Sequence, residues 1–280
     1  MSISGLWRRR ALLAGLTILS ALLLFGVVGA LVVDRAATRI GSGPFGEAPS
    51  AAHPLGTDTT GRDMLALVVH ATPATLEVGL LAGAIGTLVG TILGLVSGYY
   101  RGPVDTLIRS VADVALTIPA LAVLVVLAAF LQTTTLEVLA VIVALFAWPS
   151  GARAIRAQTL TLRERDFVAL AKVSGASDIA ILFTEILPNL LPFVVASFIG
   201  AVSGAIVAAV GLQLLGLGPL NVPSLGMILQ FAFQYAALSR GMWWWWGPPT
   251  LVLVLLFVGL FLVSTALDEI ANPRLRRSMV

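Results

Sequence analysis

The chain has 280 residues, of which 58% are hydrophobic and 11% charged, with a mean hydropathy of +1.00. A soluble core does not need that much apolar surface, so the composition excludes a soluble globular domain and predicts an all-α, polytopic membrane helix bundle. The net charge of +3 does not imply nucleic acid, because the arginines gather in loops and form no basic stripe with interleaved aromatics.

There is no cysteine, hence no disulfide, thiolate nucleophile or cysteine-based metal site. Two histidines, His53 and His70, are too few for a histidine-rich site. Arg8-Arg9-Arg10 precede the apolar run Ala11–Val33, which as a helix is about 35 Å long. That is too long for an ordinary signal-peptide core, and no small-residue cleavage site follows, so residues 1–10 are read as an inner terminus and the run as a retained first span.

Residues 34–72 form a polar outer loop rich in Gly, Pro, Ala and Thr. Within it, His53, Asp58 and Asp63 permit a metal reading, but turn residues and a helix cap at Thr60 or Gly61 explain the same letters. Leu76–Val96 is the second span. Gly79, Gly83, Gly86, Gly90, Gly94 and Gly98 recur along it every three or four residues, and such a stripe lets another helix approach at backbone distance. After a short inner loop at Tyr99–Thr106, the third span runs to about Leu131. Pro119 should kink it, and Asp105, Arg109 and Asp113 stand at i, i+4 and i+8, so Arg109 can pair with either acid. Asp113 is also a possible path-lining carboxylate.

Gln132–Thr135 reads as a tight outer turn, Leu136–Gly151 as the fourth span and Asn189–Leu215 as the fifth. Gly200 and Gly204 make a small-xxx-small pair, and the hydroxyls of Ser197 and Ser203 either line a path or bond their own helix. Between these spans lies residues 153–188, the longest break in hydrophobicity, carrying Arg153, Arg156, Arg163, Arg165 and Lys172. Phe167, Leu170, Ala171 and Ser174 fall at helical spacing, Gly175 suits a helix C′ position, Ser177 or Asp178 can cap a second short helix, and Pro188 and Pro192 end it. The pattern predicts helix, glycine turn, helix: a handle at the inner surface. Residues 216–247 form an outer segment with a short helix at Leu225–Leu238. Trp243–Trp246 in it read as a headgroup belt, with stacking on a sugar as the sharper alternative. Thr250–Leu267 is the last span and 268–280 an inner tail. Thirteen Lys and Arg fall in inner segments and four (Arg35, Arg39, Arg62, Arg240) in outer ones, which places both termini inside a six-span bundle.

Two stretches carry a family resemblance. His53-Pro54-Leu55-Gly56-Thr57-Asp58-Thr59-Thr60-Gly61-Arg62-Asp63 resembles the H-x-L-G-T-D-x-x-G-R-D signature of the second permease in dipeptide/oligopeptide/nickel ABC importers. Ala169-Leu170-Ala171, Gly175 and Leu187-Pro188 resemble the E-A-A loop of such permeases, with Ala169 where that pattern has glutamate. The tail resembles the family's D-P-x-L-like ending.

The resemblance implies a single transmembrane domain over 11–280 with a type I, methionine-importer-like permease fold, in a bacterial or archaeal plasma membrane. It implies a homologous second permease, two cytoplasmic ABC ATPase subunits holding ATP and Mg2+, and an extracytoplasmic substrate-binding protein. Contact with the ATPases would fall to Phe167, Ala169, Leu170, Ala171, Gly175, Ala176, Ser177, Asp178, Leu187 and Pro188. No cofactor or metal is implied for this chain, and no nucleic acid. The chain contains no G-x-x-x-x-G-K-[ST], no H-E-x-x-H and a single lysine, so energy must come from a partner or an ion gradient. The family moves dipeptides, oligopeptides and nickel, and some members oligosaccharides. An ion-coupled secondary transporter is the rival class, with Asp113 as its one candidate carboxylate.

Overall fold

A computed structural model describes residues 3–131 and 135–271, with side chains placed for 10–131 and 135–267. The expected turn at 132–135 and the inner tail therefore lie largely outside the described residues. The described chain is helical almost throughout: α1 (Ile3–Val32), α2 (Met64–Tyr100), α3 (Gly102–Thr117), α4 (Ala120–Leu131), α5 (Leu136–Ala144), α6 (Trp148–Arg163), α7 (Asp166–Val173), α8 (Asp178–Ala180), α9 (Leu187–Leu214), α10 (Leu225–Gln234) and α11 (Trp243–Ala271). Four helical stretches are long and apolar enough to cross a membrane, and six are when each bent pair, α3–α4 and α5–α6, counts as one span.

The bundle is built around α2. At 37 residues it is about 55 Å long, well beyond the hydrocarbon thickness, so both of its ends project. Asp63, not Thr60 or Gly61, is its N-cap, the carboxylate accepting from the Ala66 N–H at 2.9 Å. Pro73 lies inside α2 without ending it. Its missing N–H sits where α1 packs closely: a Cβ on Gly26 would lie 2.7 Å from the Pro73 ring. The other end of α1 is tied down where the His70 ring nitrogen meets the Val33 carbonyl oxygen at 3.0 Å.

The glycines of α2 set its depth in the bundle. A Cβ on Gly79 or Gly83 would stand 2.4 Å from Ile206 or 2.5 Å from Val202 of α9. On Gly90 and Gly94 it would meet the α6 backbone itself, at 2.8 Å from the Trp148 oxygen and 2.7 Å from the Ala152 oxygen. One stripe therefore serves two neighbours: α9 toward the N-terminal half of α2 and α6 toward its C-terminal half.

Pro119 does more than kink its span. Ile118 is extended, and α3 and α4 meet at 84°. The α5–α6 bend is 45°. Pro188 and Pro192, expected to separate a short helix from the fifth span, do not break the chain. Helix α8 passes through π-type turns at Ile181–Ile186 into α9, the Leu187 N–H reaching back to the Leu182 oxygen. Widening the ladder just before Pro188 gives room to a ring that would otherwise crowd the carbonyl four residues earlier.

Candidate functional site

The two ends of α2 carry the polar architecture of the molecule. At its C-terminal end sits the handle. Helix α7 closes in a Schellman turn: Gly175 donates to the Lys172 oxygen at 3.0 Å, and Ala176 to the Ala171 oxygen at 3.0 Å. Gly175 has φ +82°, in the left-handed region that glycine enters freely, asparagine at small cost and other residues only with strain. Ser177 then caps α8, its hydroxyl accepting from the Ala180 N–H.

The face that α7 turns inward keeps Phe167 and Ala171 of the expected stripe and adds Val168. Val168 is fully buried, with Phe167 and Ala171 partly so, against Ile155, Ile181, Ile186, Leu190 and Tyr99. Leu170, at the same helical spacing, is exposed. Together with Val173, Ile179 and Phe183 it leaves an apolar tip, these four being 68%, 87%, 66% and 60% exposed. Ala169, Ser174, Gly175, Ala176, Ser177 and Asp178 are also at the exposed end of the handle, whereas Leu187 is half-buried and Pro188 exposed at the start of α9.

Handle and bundle are joined by groups on the last turn of α2 and just beyond it. The Tyr99 hydroxyl donates to Asp178 Oδ1 at 2.6 Å, and Arg163 Nη1 donates to the Tyr99 carbonyl oxygen. Lys172 Nζ stands 5.3 Å from the centre of the Tyr99 ring. Arg101 Nη2 donates to Glu164 Oε1 at 2.6 Å. Ser97 donates to Asp105 Oδ1 at 2.5 Å, and the same carboxylate takes a two-pronged bond from Arg156, at 2.5 and 2.6 Å. Asp113 accepts from Arg153 at 2.6 Å. The expected pairing of Arg109 with Asp105 or Asp113 is thus corrected. Both acids of α3 are held by arginines of α6, and among the described residues Arg109 makes no ion pair. Asp113 lies on a small cavity of about 190 Å³ with Arg109, Arg153 and Arg156.

At the N-terminal end of α2, the signature residues 53–63 form a knot. Thr57 and Asp58 are fully buried. Asp58 Oδ1 accepts from the Thr60 N–H, the Thr60 hydroxyl and the Arg62 N–H, and Oδ2 accepts from Arg62 Nε at 2.6 Å. Thr57 donates to the Pro44 oxygen and accepts from the Glu47 N–H. His53 Nδ1 lies 2.7 Å from Asp63 Oδ2, which fixes the cap of α2. Gly56 and Gly61 have φ +66° and +77°, and a Cβ on either would strike a backbone oxygen at 2.6 or 2.5 Å. The Arg62 guanidinium lies 4.5 Å from the Phe231 ring centre of α10, and Trp244 Nε1 donates to the Thr57 oxygen. His53, Asp58 and Asp63 do not converge on one point, and the described residues hold no group of three such side chains fit for a metal.

The tryptophan run is partly tied to the same knot. Trp243 is exposed, but Trp244 is bonded to the loop, and Trp245 is fully buried and stacked on Tyr235. Four consecutive helical residues point in four directions, so Trp244 and Trp245 pack within the chain and Trp243 is the one left exposed. Ser203 donates to the Ile199 oxygen of its own helix. Ser197 is half-buried on α9. Gly200 and Gly204 meet no neighbouring atom; they open onto a cleft of about 190 Å³ between α4, α5, α6 and α9, with Leu124, Val143 and Ala147 opposite.

Residues 90–277 match the family described as binding-protein-dependent transport system inner membrane component. The chain belongs to that family. This permease is 31% identical to the oligopeptide transport system permease protein OppC of Lactococcus lactis, over 79% of this chain and 76% of that one. It is 32% identical to the dipeptide transport system permease protein DppC of Haemophilus influenzae, over 82% and 77%. It is 29% identical to DppC of Alkalihalophilus pseudofirmus, over 96% and 88%. Its fold is similar to that of the MetNI methionine ABC transporter in inward-facing form, with a TM-score of 0.53 at 21% identity, covering 74% of this chain and 96% of that one. The permease therefore has the all-α, multi-pass fold of an ABC importer's membrane subunit.

Several of these residues escape sequence reading. Tyr99 and Asp178 are 79 positions apart, and Asp105 and Arg156 are 51 apart. The available signal was the clustering of charge near the predicted handle, which says that partners exist but not which.

Proposed function

We propose that the permease is one half of the translocation path of an ATP-driven importer of di- or oligopeptides. It pairs with a homologous second permease and receives substrate from an external binding protein. Two cytoplasmic ATPase subunits, carrying ATP and Mg2+, drive it. The observation that carries this reading is the apolar tip of the handle. A projecting, otherwise polar turn leaves Leu170, Val173, Ile179 and Phe183 uncovered by the rest of the chain. Burying each against a partner contributes about 1.5–3 kcal/mol before the costs of association. The chain has no P-loop of its own, so the nucleotide belongs to that partner.

The basic bias of the handle side supports a cytoplasmic handle with both termini on the same side. The knot at the other end of α2 then faces outward, toward the binding protein. Closure of the ATPases displaces the handle, and the spans rock around the cleft beside Gly200 and Gly204. Peptide is favoured over oligosaccharide or nickel by the substrates in the relatives' names. The test is co-purification of ATPase with the tagged permease expressed from its native operon. The wild type retains the ATPase, and Leu170→Asp/Ile179→Asp releases it while still inserting in the membrane. Equal retention by the double variant overturns the reading.

A further inference from the structure

The handle is not a free lever hinged on α6 and α9; it is bolted to the end of α2. Tyr99 is 4% exposed and is engaged by three side chains, Asp178, Arg163 and Lys172. Its hydroxyl donates to Asp178 at the first turn of α8. Its carbonyl accepts from Arg163 at the end of α6. Its ring lies under Arg163 and Lys172, whose charged ends are 5.8 and 5.3 Å from the centroid. One residue on α2 thereby touches α6 and α7 before the glycine turn and α8 after it. Two positions to either side, Ser97 and Arg101 bond Asp105 and Glu164. The other end of the same unbroken helix is capped by Asp63, inside the knot that holds α10 and α11.

We propose that Tyr99 is a positioning residue that locks the handle to α2, so that any displacement of the handle moves α2 with it and reaches the residue 53–63 knot without passing through the substrate cleft. This rests on the reading of the handle as the driven element. The load path is physical: a tyrosine hydroxyl on a carboxylate is a charge-assisted bond, and a continuous helix resists compression and bending far better than a loop. The knot is equally stiff, because the Asp58–Arg62 pair has no slack and Gly56 and Gly61 are wedged against backbone. Movement at one end of α2 therefore arrives at the other.

The chain has no cysteine, so it contributes no background to two labels, and any cysteines of the other subunits are first replaced. Spin labels at Asp166→Cys on α7 and Leu88→Cys on α2, both exposed, report the handle-to-α2 distance in the purified complex. The native residues at Tyr99 and Asp178 should give one narrow distribution, unmoved when ATP and vanadate are added. Tyr99→Phe, which keeps the ring and loses the hydroxyl, should at least double the width even without nucleotide. Asp178→Ala should do the same, and combining the two should add nothing. Asp178→Asn, which keeps an acceptor, should retain the narrow distribution. Identical distributions in all variants would overturn the proposal, as would broadening in Asp178→Asn equal to that in Asp178→Ala. ATPase co-purification, scored on the same samples, separates this outcome from failure of the docking reading: its loss in the native-residue sample refutes docking, while the nucleotide-free widths still decide the role of Tyr99.

Discussion

Asp58 and Arg62 face each other across a single turn of the residue 53–63 knot, the Oδ2–Nε distance being 2.6 Å and both side chains sealed from solvent. The pair does three jobs at once. Asp58 Oδ1 organises the turn through Thr60 and the Arg62 backbone, Oδ2 neutralises the guanidinium, and the guanidinium then lies over Phe231. A signature that reads as chemistry in sequence is a clasp in three dimensions.

The first prediction concerns that clasp. Asp58→Asn presents an amide N–H₂ or a lone oxygen to a buried guanidinium whose Nη2 already lacks an acceptor among the described residues. Breaking a buried pair from one side costs about 3–5 kcal/mol. Thermal unfolding of the purified permease should show a large loss of stability. An unchanged midpoint would mean that the knot is not under load.

The glycine stripe supplies a paired prediction. Gly94→Ala puts a methyl 2.7 Å from the Ala152 carbonyl oxygen and 2.8 Å from Ile155 Cβ, so α2 and α6 must separate. Overpacking of this kind costs about 1–3 kcal/mol. Gly151→Ala, one turn away on the partner helix, meets no atom within 4 Å and should be neutral or stabilising by about 1 kcal/mol through helix propensity. Comparing detergent half-lives of the two variants tests whether the contact, rather than glycine as such, matters.

Gly175 separates backbone from side-chain effects. A Cβ there meets open space, but φ is +82°. Gly175→Val should therefore strain the turn by about 1–2 kcal/mol, whereas Gly175→Asn should be nearly silent. ATP-dependent uptake of a labelled tripeptide into proteoliposomes should fall in the first variant and persist in the second. Equal loss in both would place the glycine against a partner rather than in a conformational role.

The acid on α3 gives a fourth. Asp105 is held by Arg156 and Ser97 and links α2, α3 and α6. Asp105→Ala leaves a partly buried guanidinium without its carboxylate and should loosen α3 from α6, which faster amide exchange confined to Gly102–Thr117 would report. Exchange unchanged in that helix would show that α3 is held by apolar contact alone.

How much of this was legible depends on the range of each interaction. The spans, the amphipathic handle, its glycine turn and the spacing of the α2 glycines follow from local periodicity; the structure places the spans on helices, two of them bent, and sets the turn between α7 and α8. Partner choice does not follow. Arg109 stands at the right helical spacing for Asp105 and Asp113, yet α6 brings Arg153 and Arg156 closer from 40 and 51 positions away. Phase is equally hidden. Val168 goes in and Leu170 out because of how α7 settles on Ile155 and Ile181, and Trp245 is buried beside an exposed Trp243 for the same reason. Pro119 announced a bend, but the 84° comes from an extended Ile118 and from what α3 and α4 pack against.

In the proposed importer the apolar tip of the handle seats on an ATPase subunit. Ile179→Cys, carrying a benzophenone on this cysteine-free chain, tests it in native membranes by photocrosslinking. One dominant adduct is expected, with an ATPase subunit, whose yield changes between ATP-bound and nucleotide-free states. A label at 179 that yields only lipid or water products while the assembled transporter is active would contradict it.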